Sequence, residues 1–290
     1  MSMKNLPGAP IVRPSASVRS EILPRALERW NPEIRAADRD EDRAISIYDA
    51  IGYDPWTGEG VTAKRVAGAL RSLGKGPVTV NINSPGGDMF EGLAIYNLLR
   101  EHEGEVNVKV LGLAASAGSV IAMAGDTVQI ARAGFLMIHN AWVVAMGNRN
   151  DLRELATWLE PFDAAMGDIY AVRTGLETKA IAKLMDSESW IGGAAAVEQG
   201  FADELLASDQ VGRGSSNASA SAVRRLEAAL RNSGMPKSEA MRLISEFKSS
   251  VGDPAGGGEG DPTERGRSAA IATGAASSLS ASLLSHLQPS

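Results

Sequence analysis

Between Arg43 and Leu205, short β-branched runs alternate with stretches whose apolar residues recur at helical spacing. "RAISIYDAIG" (43–52) reads as a strand and "VTAKRVAGALRSLG" (61–74) as a helix that ends at Gly74. "PVTVNI" (77–82) is a second strand, running straight into the turn-forming "NSPGGD". A helix over "MFEGLAIYNLLREH" (89–102) and a third strand over "EVNVKVLGL" (105–113) follow. The alternation continues through "TVQIA", "GFLMIH", a long helix over about 151–174 and the closing "AAAVEQGFADEL". Strands separated by helices predict an α/β domain over residues 41–208 with parallel crossovers.

The pattern fails on both flanks. Residues 1–40 carry Pro7, Pro10, Pro14, Pro24 and Pro32, mixed charge and no sustained period, which predicts an extended arm ordered only by a partner. Beyond Leu206, "ASDQVGRGSSNASAS" reads as a polar linker. Residues 209–252 thus hold the rest of this linker and two short amphipathic helices, near Ala222–Leu230 and Ser238–Phe247. Residues 253–290 are Gly, Ser and Ala with few large apolar side chains and are expected to be disordered.

Composition removes several function classes. A net charge of −6 argues against a nucleic-acid groove or an anionic membrane surface. Without cysteine there is no disulfide framework, thiolate nucleophile or Cys-based metal site. The histidines are His102, His139 and His286, too few for a multi-histidine centre, so neither metal nor cofactor is expected. "VLGLAASAGSVIAMAG", Val110–Gly125, is uncharged but shorter than the ~20 apolar residues that span a bilayer. The opening "MSMKNLPGAPIVRP" has no apolar run of the secretory type, and a cytoplasmic protein is expected.

Candidate chemistry gathers in four segments. In "VKVLGLAASAGSVIAMAG", Ser116 stands where a β-branched strand meets a small-residue corner and an apolar helix. That is a place for a nucleophile, or for a serine that merely caps the helix. The Pro-Gly-Gly of "NINSPGGD" can present backbone N–H groups to an oxyanion, or be a plain turn. His139 closes the apolar "GFLMIH"; a nucleophilic serine needs a base, and His102 and His286 lie in a charged turn and the tail. "MDSESWIGG" offers Asp186 and Glu188, which point to one face if that segment is extended, so either acid can serve.

Taken together, "INSPGGDMFEGLAIYNLL", "GLAASAGSVIAMAG", "FLMIH" and "SWIGGAAAVEQGFADEL" resemble the ClpP family of serine peptidases over roughly Ala44–Leu205. The resemblance implies a ClpP/crotonase-like α/β fold of repeated β-β-α units with largely disordered extensions. It also implies Ser116 as nucleophile, His139 as base, Glu188 as the third member, and the N–H groups of Gly87 and Ala117 as oxyanion hole. Family members usually have Asp where Glu188 stands, which keeps Asp186 in reserve. Protein substrates and a homo-oligomeric ring, a heptamer or double ring, are implied as well, with 149–174 at subunit contacts or in the core.

The flanks "RAISIYDAIGYDPWTGEGVTAKRVAGAL" and "LEAALRNSGMPKSEAMRLISEFKS" are similar to the ClpP-related head maturation proteases of tailed bacteriophages. For such a protein the implied substrate is capsid or scaffold protein inside an assembling prohead. The alternatives are a bacterial ClpP-type subunit fed by an AAA+ unfoldase, acyl-CoA chemistry of the crotonase type, and a scaffold protein whose protease domain has decayed. Ser116 with His139 argues against the crotonase type, and an intact Ser, His and carboxylate argues against the decayed scaffold.

Overall fold

The structure, a computed structural model, describes residues 21–36, 43–53, 60–207, 211–213, 226–227, 230, 235 and 237–251. The chain divides into two units, Met1–Ala218 and Ser219–Ser290. In the first, β2 (Ala44–Ile47), β3 (Val78–Ser84), β4 (Val106–Ala115), β5 (Thr127–Ile130) and β8 (Glu204–Leu205) lie side by side in that order, each neighbouring pair parallel. Their side chains explain the order: Val80, Ile82, Val108, Val110, Val128 and Ile130 are all buried, as strands inside a parallel sheet require.

Between the strands run α2 (Ala63–Leu73), α3 (Met89–Arg100), α4 (Ala117–Ala122), α5 (Arg149–Thr174), α6 (Thr178–Asp186) and α7 (Gly193–Glu198). Local chemistry sets their ends. Asp88 caps α3 by accepting from the N–H groups of Phe90 and Glu91, and Glu91 reaches across to accept from Ala63 N at the start of α2 (2.7 Å). Asn148 and Asp151 form a reciprocal capping box at the start of α5, and Gly175 ends that helix in the left-handed region. Along α5 the apolar residues divide. Phe162, Met166, Ile169 and Tyr170 are buried, whereas Leu152 is exposed.

The ten-residue β4 changes partner along its length. Asn107–Val110 pair with β5, and Leu113–Ala115 pair with β6 (Phe135–Ile138), which itself pairs antiparallel with β7 (Ser189–Gly192). The end of β4 therefore runs between β3 and β6, with Ala114 still paired to Ser84, and the chain turns at Ser116 into α4. Val110–Gly125 is thus half core strand and half short buried helix. Among the described residues no helix is long and apolar enough to cross a membrane.

The arm expected over residues 1–40 is not extended throughout. Within it, α1 (Pro24–Arg29) and β1 (Ile34–Ala36) are folded, with Ala26, Leu27 and Trp30 buried. Asn83, at a bulge of β3, supplies the reason. Its carbonyl accepts from Trp30 Nε1 (2.9 Å), and its Nδ2 donates to the carbonyls of Asn31 and Ile34. A buried amide satisfied by a segment 50 residues away leaves no local trace in the sequence. The linker reading is corrected in the same region, because β9 (Val211–Arg213) pairs antiparallel with β1.

In the second unit, α8 (Lys237–Val251) covers the second amphipathic helix expected, with Ala240 and Ile244 buried one turn apart. Of Ala222–Leu230 only Leu226, Glu227 and Leu230 are described, all helical, and 253–290 lies outside the described residues.

Candidate active site

Ser116 sits in a corner that its own residue type does not favour. Its N–H still belongs to the sheet, donating to Met137 O of β6 (2.8 Å), but its backbone takes φ 53° and ψ −123°. A positive φ at a non-glycine residue costs on the order of 1–3 kcal/mol and persists only where surrounding structure imposes it. Among the described residues, Ser116 and Glu188 are the two non-glycines with positive φ. The capping alternative for Ser116 fails, because its side chain makes no cap bond to α4. The hydroxyl turns instead to His139.

His139 follows β6 directly, and its Nε2 lies 2.7 Å from Ser116 Oγ. Burial pushes the imidazole down to about 4; the charge of Glu188 and a hydrogen bond with the Asn140 main chain pull the other way. At neutral pH the ring is uncharged, so it can accept the serine proton.

The two candidate acids do not share one extended face. Asp186 is the last residue of α6 and Glu188 lies in the positive-φ turn after it; strand geometry starts only at Ser189. This parts their roles. Asp186 accepts from Asn140 Nδ2 (2.8 Å), steadying the residue next to the histidine. Glu188 acts on the ring through its charge, while its Oε1 accepts from Trp190 Nε1 (3.4 Å) and pairs with Arg25 of α1 (3.8 Å). Asp163 of α5 fixes the other side of this loop by accepting from Ala141 N (2.5 Å).

The Pro85-Gly86-Gly87 turn presses on the serine corner from β3. A Cβ on Gly86 would stand 2.6 Å from Ala115 O and 2.7 Å from Ser116 Cβ, so only glycine allows this approach. Gly87, at φ 147°, would drive a Cβ to 2.1 Å from Ile51 O. The turn is tied down by Gly86 N donating to Ser84 Oγ (3.2 Å) and by Ile51, which donates to Gly86 O and accepts from Asp88 N (both 2.9 Å). Gly86 thus stands against Ser116, which Ala117 follows as the first residue of α4, while Gly87 packs against Ile51.

A cleft opens over Ser116 and His139, lined by Met89, Leu93, Trp142 and Met166. Glu21, three residues before α1, also lines it. The other described histidine is remote in role: His102 Nε2 bonds Gly76 O (2.9 Å). Among the described residues no group of three or more His, Asp or Glu is placed to hold a metal ion. Sequence reasoning missed Asn140, Ser119 and Tyr170, whose roles come from elements meeting in space.

The sequence profile of the Clp protease family matches residues 58–209, more than half of the chain. The chain belongs to the Clp protease family. Its α/β architecture with a parallel sheet is the ClpP-like fold. It is 30% identical over 139 residues to an ATP-dependent Clp protease proteolytic subunit of Deinococcus radiodurans, covering 47% of this chain and 68% of that one. To the ATP-dependent Clp protease proteolytic subunit 2 of Thermobifida fusca it is 31% identical over 150 residues, 50% of this chain and 74% of the relative. Among solved structures it is similar to a ClpP1 mutant from Listeria monocytogenes, with a TM-score of 0.48 and 24% identity over 57% of this chain and 92% of that chain.

Proposed function

We propose that this Clp-family protein is a serine endopeptidase acting through an acyl-enzyme. The observation that carries the reading is the 2.7 Å contact of His139 Nε2 with Ser116 Oγ at a positive-φ corner. His139 takes the hydroxyl proton as Ser116 attacks the scissile carbonyl, and returns it to the leaving amine; water then repeats the sequence on the acyl-enzyme. The N–H groups of Gly87 and Ala117 receive the developing oxyanion. Glu188 supports the imidazolium by its charge, and the apolar cleft takes an apolar substrate side chain. By the same family reading the active form is a homo-oligomeric ring acting on proteins.

For its biological role we favour processing of capsid or scaffold protein during phage head maturation. Support comes from the 81 residues that follow the family match, which include the amphipathic α8. The names of the bacterial relatives favour a second reading, a proteolytic subunit that works with an ATPase.

The test incubates the full chain, without nucleotide, with a peptide ester and with co-expressed capsid and scaffold proteins. Cleavage by wild type and none by Ser116→Ala supports the peptidase, and cleavage of the structural proteins supports head maturation. Turnover of folded proteins only with an AAA+ ATPase and ATP transfers the role to the second reading. Equal cleavage by Ser116→Ala sinks both.

A further inference from the structure

Next to the serine corner, where α4 and α5 meet, lies a buried pair of hydroxyls that this reading leaves unused. Ser119 of α4 is fully buried, and its Oγ donates to Ser116 O at 2.6 Å. The Tyr170 hydroxyl, from α5, lies 2.7 Å from Ser119 Oγ. A serine hydroxyl has one proton, and here it goes to a carbonyl that can only accept, so Tyr170 is the donor to Ser119. Burial holds the Tyr170 phenol above its ordinary range, so it keeps that proton at any working pH.

The helix itself does not need this chain of bonds. Ser116 O already accepts from Ser119 N (2.9 Å) and Val120 N (3.3 Å), which matches the two lone pairs of a carbonyl. The Ser119 hydroxyl is a third donor, and the closest of the three. Its effect follows from peptide geometry. The Ser116 carbonyl and the Ala117 N–H belong to one planar trans peptide and point in opposite directions. Whatever fixes the carbonyl therefore fixes the direction of the N–H.

We infer that Ser119 and Tyr170 are positioning residues that aim the Ala117 N–H at the oxyanion by clamping the Ser116 carbonyl. This rests on the reading of Ser116 as nucleophile. A donor fixed before the reaction begins needs no reorganisation in the transition state, and its contribution appears in kcat and not in KM.

The test compares the full-length wild type with Ser119→Ala and Tyr170→Phe. Three readouts are used: kcat and KM for a peptide ester, affinity for a peptide aldehyde that forms a tetrahedral adduct, and affinity for the uncleavable product peptide. Removing an oxyanion donor outright costs roughly 10²–10³ in kcat. Loss of its aim in Ser119→Ala should cost less, about 10- to 100-fold, with KM within about twofold of wild type. Tyr170→Phe, which keeps the Ser119 bond, should show a smaller loss of the same kind. Aldehyde affinity should fall in step with kcat while product affinity holds.

Unchanged kcat in both variants, or equal weakening of aldehyde and product, overturns the inference. If Ser119→Ala does not fold, the same pair of affinities in Tyr170→Phe decides. Phosphonylation of the wild type at Ser116 by a fluorophosphonate separates the two layers. If it labels there and the variants behave as wild type, the inference alone fails. If it does not label there, the nucleophile reading fails and takes the inference with it.

Discussion

Ser116 and Glu188 sit at opposite ends of the candidate site, each at a positive φ, and their surroundings differ sharply. Around Ser116 the neighbours are buried main chain and buried hydroxyls. Met137 O takes its N–H, three donors hold its carbonyl, and Gly86 closes against its Cβ. Around Glu188 the neighbours are longer and wetter. Its side chain is 26% exposed, the Trp190 bond is 3.4 Å, and the Arg25 side chain facing it is 74% exposed. Strain at Ser116 is thus borne by a closely bonded, buried shell, whereas Glu188 is held by longer and more exposed contacts. On the proposed mechanism, attack is preorganised and support of the imidazolium is adjustable.

That contrast breaks first at its buried end. His139→Ala should lower kcat by roughly 10⁶, and the Ser116→Ala/His139→Ala double variant should be no worse, because the two act as a unit. Steady-state hydrolysis of a peptide ester measures this, and additive losses would count against a shared mechanism.

Next come the acids. A hydrogen-bonded triad carboxylate can be worth about 10⁴ in kcat. Glu188→Gln should cost less than that, since Glu188 acts through charge, yet more than Asp186→Asn, which loses only a bond to Asn140. The reverse ranking in the same assay would move the role to Asp186.

The pH profile sharpens the comparison further. The base must be neutral, and burial sets the His139 pKa at about 4 against an ordinary 6.5. The acid limb of kcat/KM should therefore lie near 4, with activity intact at pH 6. Glu188→Gln removes a charge that raises this pKa, so its limb should move lower still. Stability carries the same sign. The unfolded chain binds the proton first as pH falls from 6.5 to about 4, so the folded state loses stability across that window.

Smaller effects belong to the N-terminal segment. Trp30→Phe gives up the Nε1 bond to Asn83 O and should lower unfolding stability by about 1 kcal/mol in a denaturant titration, with kcat unaffected. Arg25→Ala should change kcat by less than about threefold, because an exposed ion pair of this length contributes under about 1 kcal/mol.

The strands and helices that carry Ser116 and His139 were legible because each repeats its own period over many residues: β6, α2 and α3 fall within the runs read from the chain, and β3 and β4 each run two residues past theirs. What escaped depends on partners remote in sequence. The β1–β9 pairing joins residues about 175 positions apart, and Trp30 is ordered by an amide on β3. At the site, local pattern placed the serine and the histidine but left their roles open, since a cap and a nucleophile look alike at a strand–helix junction. It misread the acids, because no residue in "MDSESW" announces that a helix ends at Asp186 and a positive φ follows at Glu188. Ser119 and Tyr170 were invisible for the same reason, being 51 positions apart until α4 and α5 meet.

The most direct measurement is covalent labelling of the full-length protein with a fluorophosphonate, followed by mass-spectrometric mapping of the modified peptide. The account predicts one adduct, on Ser116, formed readily at pH 6–8 and nearly absent in His139→Ala. An unlabelled wild type, an adduct on another residue, or undiminished labelling of His139→Ala would contradict it.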